Sequence, residues 1–269
     1  VAYTPISALT PADVADVRVV LTDIDDTLTD EGRLRAAAYA AMWRLQEAGL
    51  AVVPVTGRPA GWCDHFARMW PVAGVVGENG ALAYAYDASA RRMRALWATS
   101  EAERAALPAR RAAIAADVLR EVPRAQIASD QPFRIHDLAI DFAEDVVPPL
   151  SEPEIDRVVA IFERHGATAK VSSIHVNGWF GTYDKLSMIR TFARTHLDLD
   201  LETHPRAAIY VGDSPNDAPA FAAFPLSVGV ANVREFEHRL STPPRFVTDR
   251  PGGDGFAELS QRLLALRAR

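Results

Sequence analysis

The sequence predicts an α/β fold: a parallel sheet flanked by helices, interrupted by a separate α+β module. Three observations carry that expectation. Short apolar runs at 19–21, 50–55 and 209–211 are rich in Val, Ile and Leu without polar alternation, as strands buried on both faces are. Between them lie helix-period segments of ten to fifteen residues, the spacing of βαβ units. Between about residues 98 and 181 the rhythm breaks, and helices and half-polar strands replace it.

In order, a strand over 18–22 delivers Asp23, and an Ala-rich helix over 34–48 is closed by Gly49 as its C-terminal cap. A second apolar run over 50–55 ends in Thr56-Gly57-Arg58-Pro59, and Pro59 suits the first turn of a helix over 60–69. A short strand over 74–76 leads to Gly77-Glu78-Asn79-Gly80, and a hairpin occupies 81–97. Two helices, 108–121 and 152–165, and a strand pair, 138–142 with 171–180, then define the inserted module; Pro148, Pro149 and Pro153 mark its loop and the start of its second helix. After Asp184 the βα order returns with helix 185–196, strand 207–211, helix 218–223, strand 226–230 and a final helix over 255–266. The expected division is a core of 1–97 and 182–269 and a module of 98–181. Thr10-Pro11-Ala12-Asp13 resembles a helix-start cap.

With 269 residues, 49% hydrophobic and 24% charged, the chain has the composition of a globular protein with ample core. A net charge of −6 argues against a nucleic-acid partner, and no apolar stretch approaches the roughly twenty residues of a membrane span. The single cysteine, Cys63, excludes an internal disulfide and fits a reducing cytoplasm, where it is expected to be an inert helix residue. The chain opens on Val1 without methionine and lacks a signal-peptide pattern, so processing or truncation stays open.

Four carboxylates sit at two strand ends: Asp23 and Asp25 in L-T-D-I-D-D-T, and Asp213 and Asp217 in V-G-D-S-P-N-D. Acids just past parallel strands collect at the carboxyl edge of the sheet, where open α/β folds bind ligands. Close carboxylates repel unless a cation lies among them, and Mg²⁺ is the natural guest of such oxygen ligands.

Asp23-x-Asp25-x-Thr27, Thr56-Gly57-Arg58, Lys185 and Gly212-Asp213-x-x-Asn216-Asp217, arriving in that order at strand ends or helix starts, resemble the haloacid dehalogenase superfamily. The position of the inserted module resembles its subfamily IIB, with a Cof-type or sucrose-phosphate phosphatase-like cap. The resemblance implies a Rossmann-like core, an inserted α+β cap of type C2B and a Mg²⁺-dependent phosphatase acting on a small-molecule phosphate ester, a sugar phosphate above all. It further implies that Asp23 attacks phosphorus and that Asp25 serves as acid, then base. Mg²⁺ would bind the Asp23 side chain, the Asp25 carbonyl and Asp213, with Asp217 or Asn216 completing the shell. Thr56, Gly57 and Lys185 would hold the phosphoryl oxygens. Thr27 supports the loop, Arg58 reads as a sheet-edge ion pair, and Asp26 stands where many relatives have glycine.

Substrate contacts are expected from Glu78 and Asn79 in a loop of the core and from Arg134, His175 and Asn177 in the cap. At period two, Ser173, His175, Asn177 and Trp179 share one strand face, opposite Ile174, Val176 and Phe180, and Asp137, Ala139 and Asp141 share another. A roof carrying His, Asn, Asp and an aromatic suits a polyhydroxylated ligand. Two other readings stay open: a phosphomutase of the phosphomannomutase type, which needs a cationic cap, and a non-catalytic ligand-binding protein. Oligomeric state is not legible.

Overall fold

The computed structural model describes residues 3–172 and 174–268; the expectation for Ser173 lies outside them. Its central sheet has six parallel strands in the order Thr4–Pro5, Phe246–Val247, Ser227–Gly229, Ala208–Gly212, Val19–Thr22, Ala51–Pro54. Val19–Thr22 lies between Ala208–Gly212 and Ala51–Pro54, with Leu21 opposite Tyr210 and Val53. Both faces of the sheet are covered. Val20, Val52, Ile209 and Val211 pack with the helices Ala36–Glu47 and Gly252–Arg267, whereas Val19, Leu21, Val53 and Tyr210 pack with Lys185–His196 and Ala218–Ala223. Burial on two faces explains the apolar runs that marked these strands, each buried Val or Leu stabilising the fold by about 2 kcal/mol.

The helices Ala60–Met69, Lys185–His196 and Ala218–Ala223 have the bounds that the sequence led us to expect. A hairpin of Leu82–Asp87 and Arg92–Trp97 extends Val75–Gly77 into an antiparallel sheet, joined to the core through the bridge between Val55 and Val76. Two short strands, Thr4–Pro5 at the sheet edge and Phe246–Val247 beside it, were not expected. Each is two residues long, too short to show a period.

Glu101–Glu121, Glu152–Arg164 and a four-stranded sheet in the order Thr168–Val171, His175–Trp179, Leu138–Asp141, Gln126–Ile127 form a second assembly. Its first helix starts at the capping box Ser100/Glu103, not at Pro108, which lies inside the helix; the cap satisfies the helix end and outweighs the proline. The expected strand 171–180 is instead two strands that pair antiparallel. Leu107, Ile114, Val118, Ile161 and Phe162 cover one face of this sheet, with Leu138, Ile140 and Val176. Gly178 is required there, because a Cβ would lie 2.1 Å from Phe162 Cδ1. Its opposite face carries Ala139 against Asn177 and Asp141 against His175, and it looks toward the carboxyl edge of the core sheet.

Among the described residues no helix is long and apolar enough to cross a membrane. Cys63 is buried, and burial pushes its thiol well above its ordinary range, away from thiolate chemistry.

Candidate active site

Asp23 follows Thr22 off its strand, and its amide donates to Val211 O at 2.9 Å. The neighbouring strand ends one residue before Asp213, so register alone sets the two carboxylates side by side at one sheet edge. Asp23 Oδ1 accepts Lys185 Nζ at 2.8 Å. Lys185 opens its helix after Asp184, whose side chain caps the Ser187 amide. Gly80, with φ +97°, lies against this turn; a Cβ there would sit 2.0 Å from Asp184 O, so only glycine allows the approach. Burial pushes Asp23 up to about 7; Lys185 opposes this, and Asp217 and Asp25 reinforce it. Burial also disfavours the Lys185 charge, but Asp23 and Asp217 outweigh it and raise the ammonium above its ordinary value.

Asp213 is buried and pushed well above the carboxylate range by burial, Asp217 and Asp23. Thr27 Oγ1 donates to its Oδ1 at 3.0 Å and Asn232 Nδ2 approaches its Oδ2 at 3.3 Å. Asn232 also donates to Asp26 O at 3.0 Å and accepts the Gly252 amide at 3.1 Å. The sequence reading missed Asn232, which lies 19 residues beyond Asp213 in a segment without a recognisable pattern. Asp26 adopts φ +55°, a left-handed turn that Asp tolerates.

At this edge the expectations for Asp217 and Thr56 need correction, and the Asp25 carboxylate has a partner. Asp217 does not reach the cavity: Oδ1 accepts Tyr210 OH at 2.6 Å and Oδ2 accepts the Asp213 and Ser214 amides at 3.0 and 3.2 Å. It holds the Asp213 loop rather than offering a free oxygen to a metal, and Gly212 has no Cβ because that carbon would lie 2.4 Å from Asp217 Cγ. The Asp25 carboxylate turns to Arg58, which donates from Nε at 3.0 and 3.1 Å and from NH2 at 2.8 Å. Thr56 is buried and its hydroxyl accepts the Arg58 amide at 3.0 Å, so Gly57 and not Thr56 lies on the cavity wall. Among the described residues no three His, Cys, Asp or Glu side chains gather as one metal-ligand group. Two carboxylates, Asp23 and Asp213, remain.

These groups open into a cavity of about 600 Å³, within the range of small-molecule sites. Asn79, Arg134, Glu144, His175, Asn177 and Asn216 also lie on its wall, and Asn216 Oδ1 is 3.5 Å from Lys185 Nζ. Glu78 does not. Its carboxylate is fully buried and accepts the amides of Ala60 (2.9 Å), Ile135 (2.8 Å), His136 (2.6 Å) and Asp137 (3.1 Å). It ties the 135–137 segment to the helix Ala60–Met69 and touches no ligand space. Arg134 reaches the wall with its donors engaged: Asp130 takes Nε and NH2, and Asp137 and Gly57 O take NH1. Asp137 and Asp141 are absent from the wall, since Asp137 pairs with Arg134 and Asp141 accepts the amides of Ala143, Glu144 and Asp145. Trp179 is buried beside Tyr183, their rings 6.1 Å apart, and does not face the cavity. His136, buried against Trp97 and 2.9 Å from Thr99 Oγ1, is driven by burial down to about 4 and stays neutral.

Residues 20–98 match the family model of haloacid dehalogenase-like hydrolases. No curated protein matches the sequence. Among solved structures, a protein from Thermoplasma acidophilum superposes with a TM-score of 0.69 at 16% identity, covering 92% of this chain and 98% of that one. A subclass IIB sugar phosphatase gives 0.64 at 13% identity, covering 93% and 100%. The sucrose-phosphatase of a Synechocystis species, solved with sucrose and phosphate, gives 0.64 at 13% identity, covering 92% and 98%. In sequence, residues 20–98 are similar to the haloacid dehalogenase-like hydrolases, and nearly the whole chain shares its fold with these solved structures. The architecture, a parallel α/β core joined to an α+β assembly, is similar in fold to that subclass IIB sugar phosphatase.

Proposed function

We propose that the protein is a Mg²⁺-dependent phosphatase that hydrolyses a small phosphate monoester, a sugar phosphate, through an aspartyl-phosphate on Asp23. One observation carries the reading: the buried Asp23 carboxylate, 2.8 Å from Lys185 Nζ, stands beside Asp213 at the floor of a cavity large enough for such an ester. The donor set fits Mg²⁺. Asp23, Asp213 and the Asp25 carbonyl are hard oxygens, and this ion is usually held by one or two carboxylates with waters and substrate phosphate. Two carboxylates pushed up by burial and by neighbouring acids, Asp217 among them for both, are also the signature of a cluster that a cation would relieve. Once bound, the ion would offset charge on the phosphoryl oxygens.

The chain's own groups then divide the work. An Asp23 oxygen forms a bond to phosphorus as the bond to the leaving oxygen breaks, and Asp25 gives that oxygen a proton. In the second half, Asp25 takes a proton from water as the water oxygen attacks phosphorus, and the Asp23 carboxylate is released. Arg58 sets the position of Asp25 between these steps. The Lys185 ammonium and the Gly57 amide hold the phosphoryl oxygens as their charge shifts. Residues 98–181 act as the cap that shapes the space for the leaving group.

The test is phosphate release from a panel of sugar, glycerate and nucleotide phosphates with and without Mg²⁺, beside Asp23→Asn. Release that needs Mg²⁺ and falls at least ~10³-fold in the variant supports the reading. A folded protein that releases no phosphate overturns it in favour of a binding protein, and turnover that needs a bisphosphate primer favours a mutase.

A further inference from the structure

The roof over the cavity is built around a carboxylate. Glu144 follows Asp141, whose buried side chain accepts the amides of residues 143–145 at 2.9, 2.8 and 2.7 Å and so fixes the loop that presents it. Glu144 Oε2 lies 2.9 Å from His175 Nε2 and Oε1 lies 3.8 Å from Arg58 NH1. Neither neighbour cancels its charge. Arg58 is bound through three hydrogen bonds to Asp25, leaving one guanidinium for two carboxylates. His175 is 3% exposed, and burial lowers its proton affinity in spite of Glu144.

Asn177, one turn of the pleat from His175, is 7% exposed and lies on the same wall; its Oδ1 is buried without a hydrogen-bond partner among the described residues. An unpaired buried amide is costly unless a ligand completes it. Arg134, the other cation on the roof, already spends its donors on Asp130, Asp137 and Gly57 O. The roof therefore offers hydrogen-bonding groups and a negative charge, with no cation to spare.

We propose that this roof selects a neutral polyhydroxylated leaving group and turns away one bearing a second anion, with Glu144 as the deciding residue. Ligand hydroxyls donate to the Glu144 carboxylate and are met by the Asn177 amide, whereas a phosphate or carboxylate there meets like charge. The inference rests on the phosphatase reading and narrows it to uncharged sugar or polyol monophosphates. Arg239, at the cavity mouth and without an ion-pair partner among the described residues, is the group that would serve a bisphosphate if this were wrong.

The experiment compares kcat/KM for a hexose monophosphate, a phosphoglycerate and a hexose bisphosphate in the wild type and in Glu144→Gln, with thermal melting as the folding control. We expect the wild type to prefer the monophosphate by at least about tenfold over both anionic esters. In Glu144→Gln that ratio should fall toward parity, through a lower KM for the anionic esters. An unchanged ratio overturns the inference, as does a wild type that prefers the bisphosphate and loses that preference in Arg239→Ala. Absence of phosphate release from p-nitrophenyl phosphate by the wild type in Mg²⁺ would mark failure of the phosphatase reading itself. Calorimetric binding of the same esters to both proteins then decides the roof separately: a tenfold preference that Gln removes upholds the selectivity, and equal affinities refute it.

Discussion

Replacing Glu78 by Gln changes one atom and is expected to loosen the junction between the core and the segment that precedes Leu138–Asp141. Each carboxylate oxygen of Glu78 accepts two backbone amides, Oε1 from Ala60 and Ile135 and Oε2 from His136 and Asp137. A glutamine amide presents an NH₂ to one of those pairs, so two buried N–H groups lose their acceptor and meet another donor. At about 1–3 kcal/mol for each orphaned group, the cost is roughly 2–6 kcal/mol. That is a large share of the ~5–15 kcal/mol that holds a protein folded. With a urea m-value of about 3 kcal/mol/M, the unfolding midpoint should drop by roughly 0.7–2 M. Hydrogen exchange gives the local readout, with faster exchange at the four named amides than in the wild type. A Gln variant within about 0.5 kcal/mol of the wild type, with those amides still protected, would refute the clamp.

Metal and pH should be linked. Asp23 is raised from an ordinary 3.8 to about 7, and Asp213 lies well above the same value. An acid whose folded pKa is raised binds its proton more tightly when folded, so its contribution to stability is complete below about pH 3.8 and is lost as pH rises through about 7. The metal-free protein is therefore expected to lose stability from these groups across that window, and Mg²⁺ should raise Tm more at pH 8 than at pH 5; equal shifts by calorimetry would contradict this. Asn232→Ala frees Asp213 Oδ2 and the Asp26 carbonyl from their shared donor. Half-saturation by Mg²⁺ should rise about 10–100-fold in a Mg²⁺ titration, and an unchanged titration would remove Asn232 from the positioning of Asp213.

The parallel core and the floor of the site were legible in the sequence because both are written in local chemistry. Continuous apolar runs announce strands buried on two faces, and an acid directly after such a run must emerge at the sheet edge; Asp23 and Asp213 follow from that rule. Lys185 was legible as a helix start. What each polar group faces was not, because hydrogen-bond partners come from distant segments. Asp217 looked equivalent to Asp213, yet Tyr210 and two amides take its oxygens. Glu78 looked like a ligand contact and became a buried joint, and Arg134 reaches the cavity wall with its donors already taken, since their partners at 135–137, Asp130 and Gly57 meet them only in the fold. Period two placed His175 and Asn177 on one face correctly. It could not show that Trp179 leaves the cavity at the strand end, nor that Glu144 enters it from a loop with no period at all. Sequence thus determined which segments are buried strands and which acids end them, because burial and alternation are properties of neighbours along the chain. Only tertiary structure decided which of those charges stay free to act, because that depends on partners from distant segments in space.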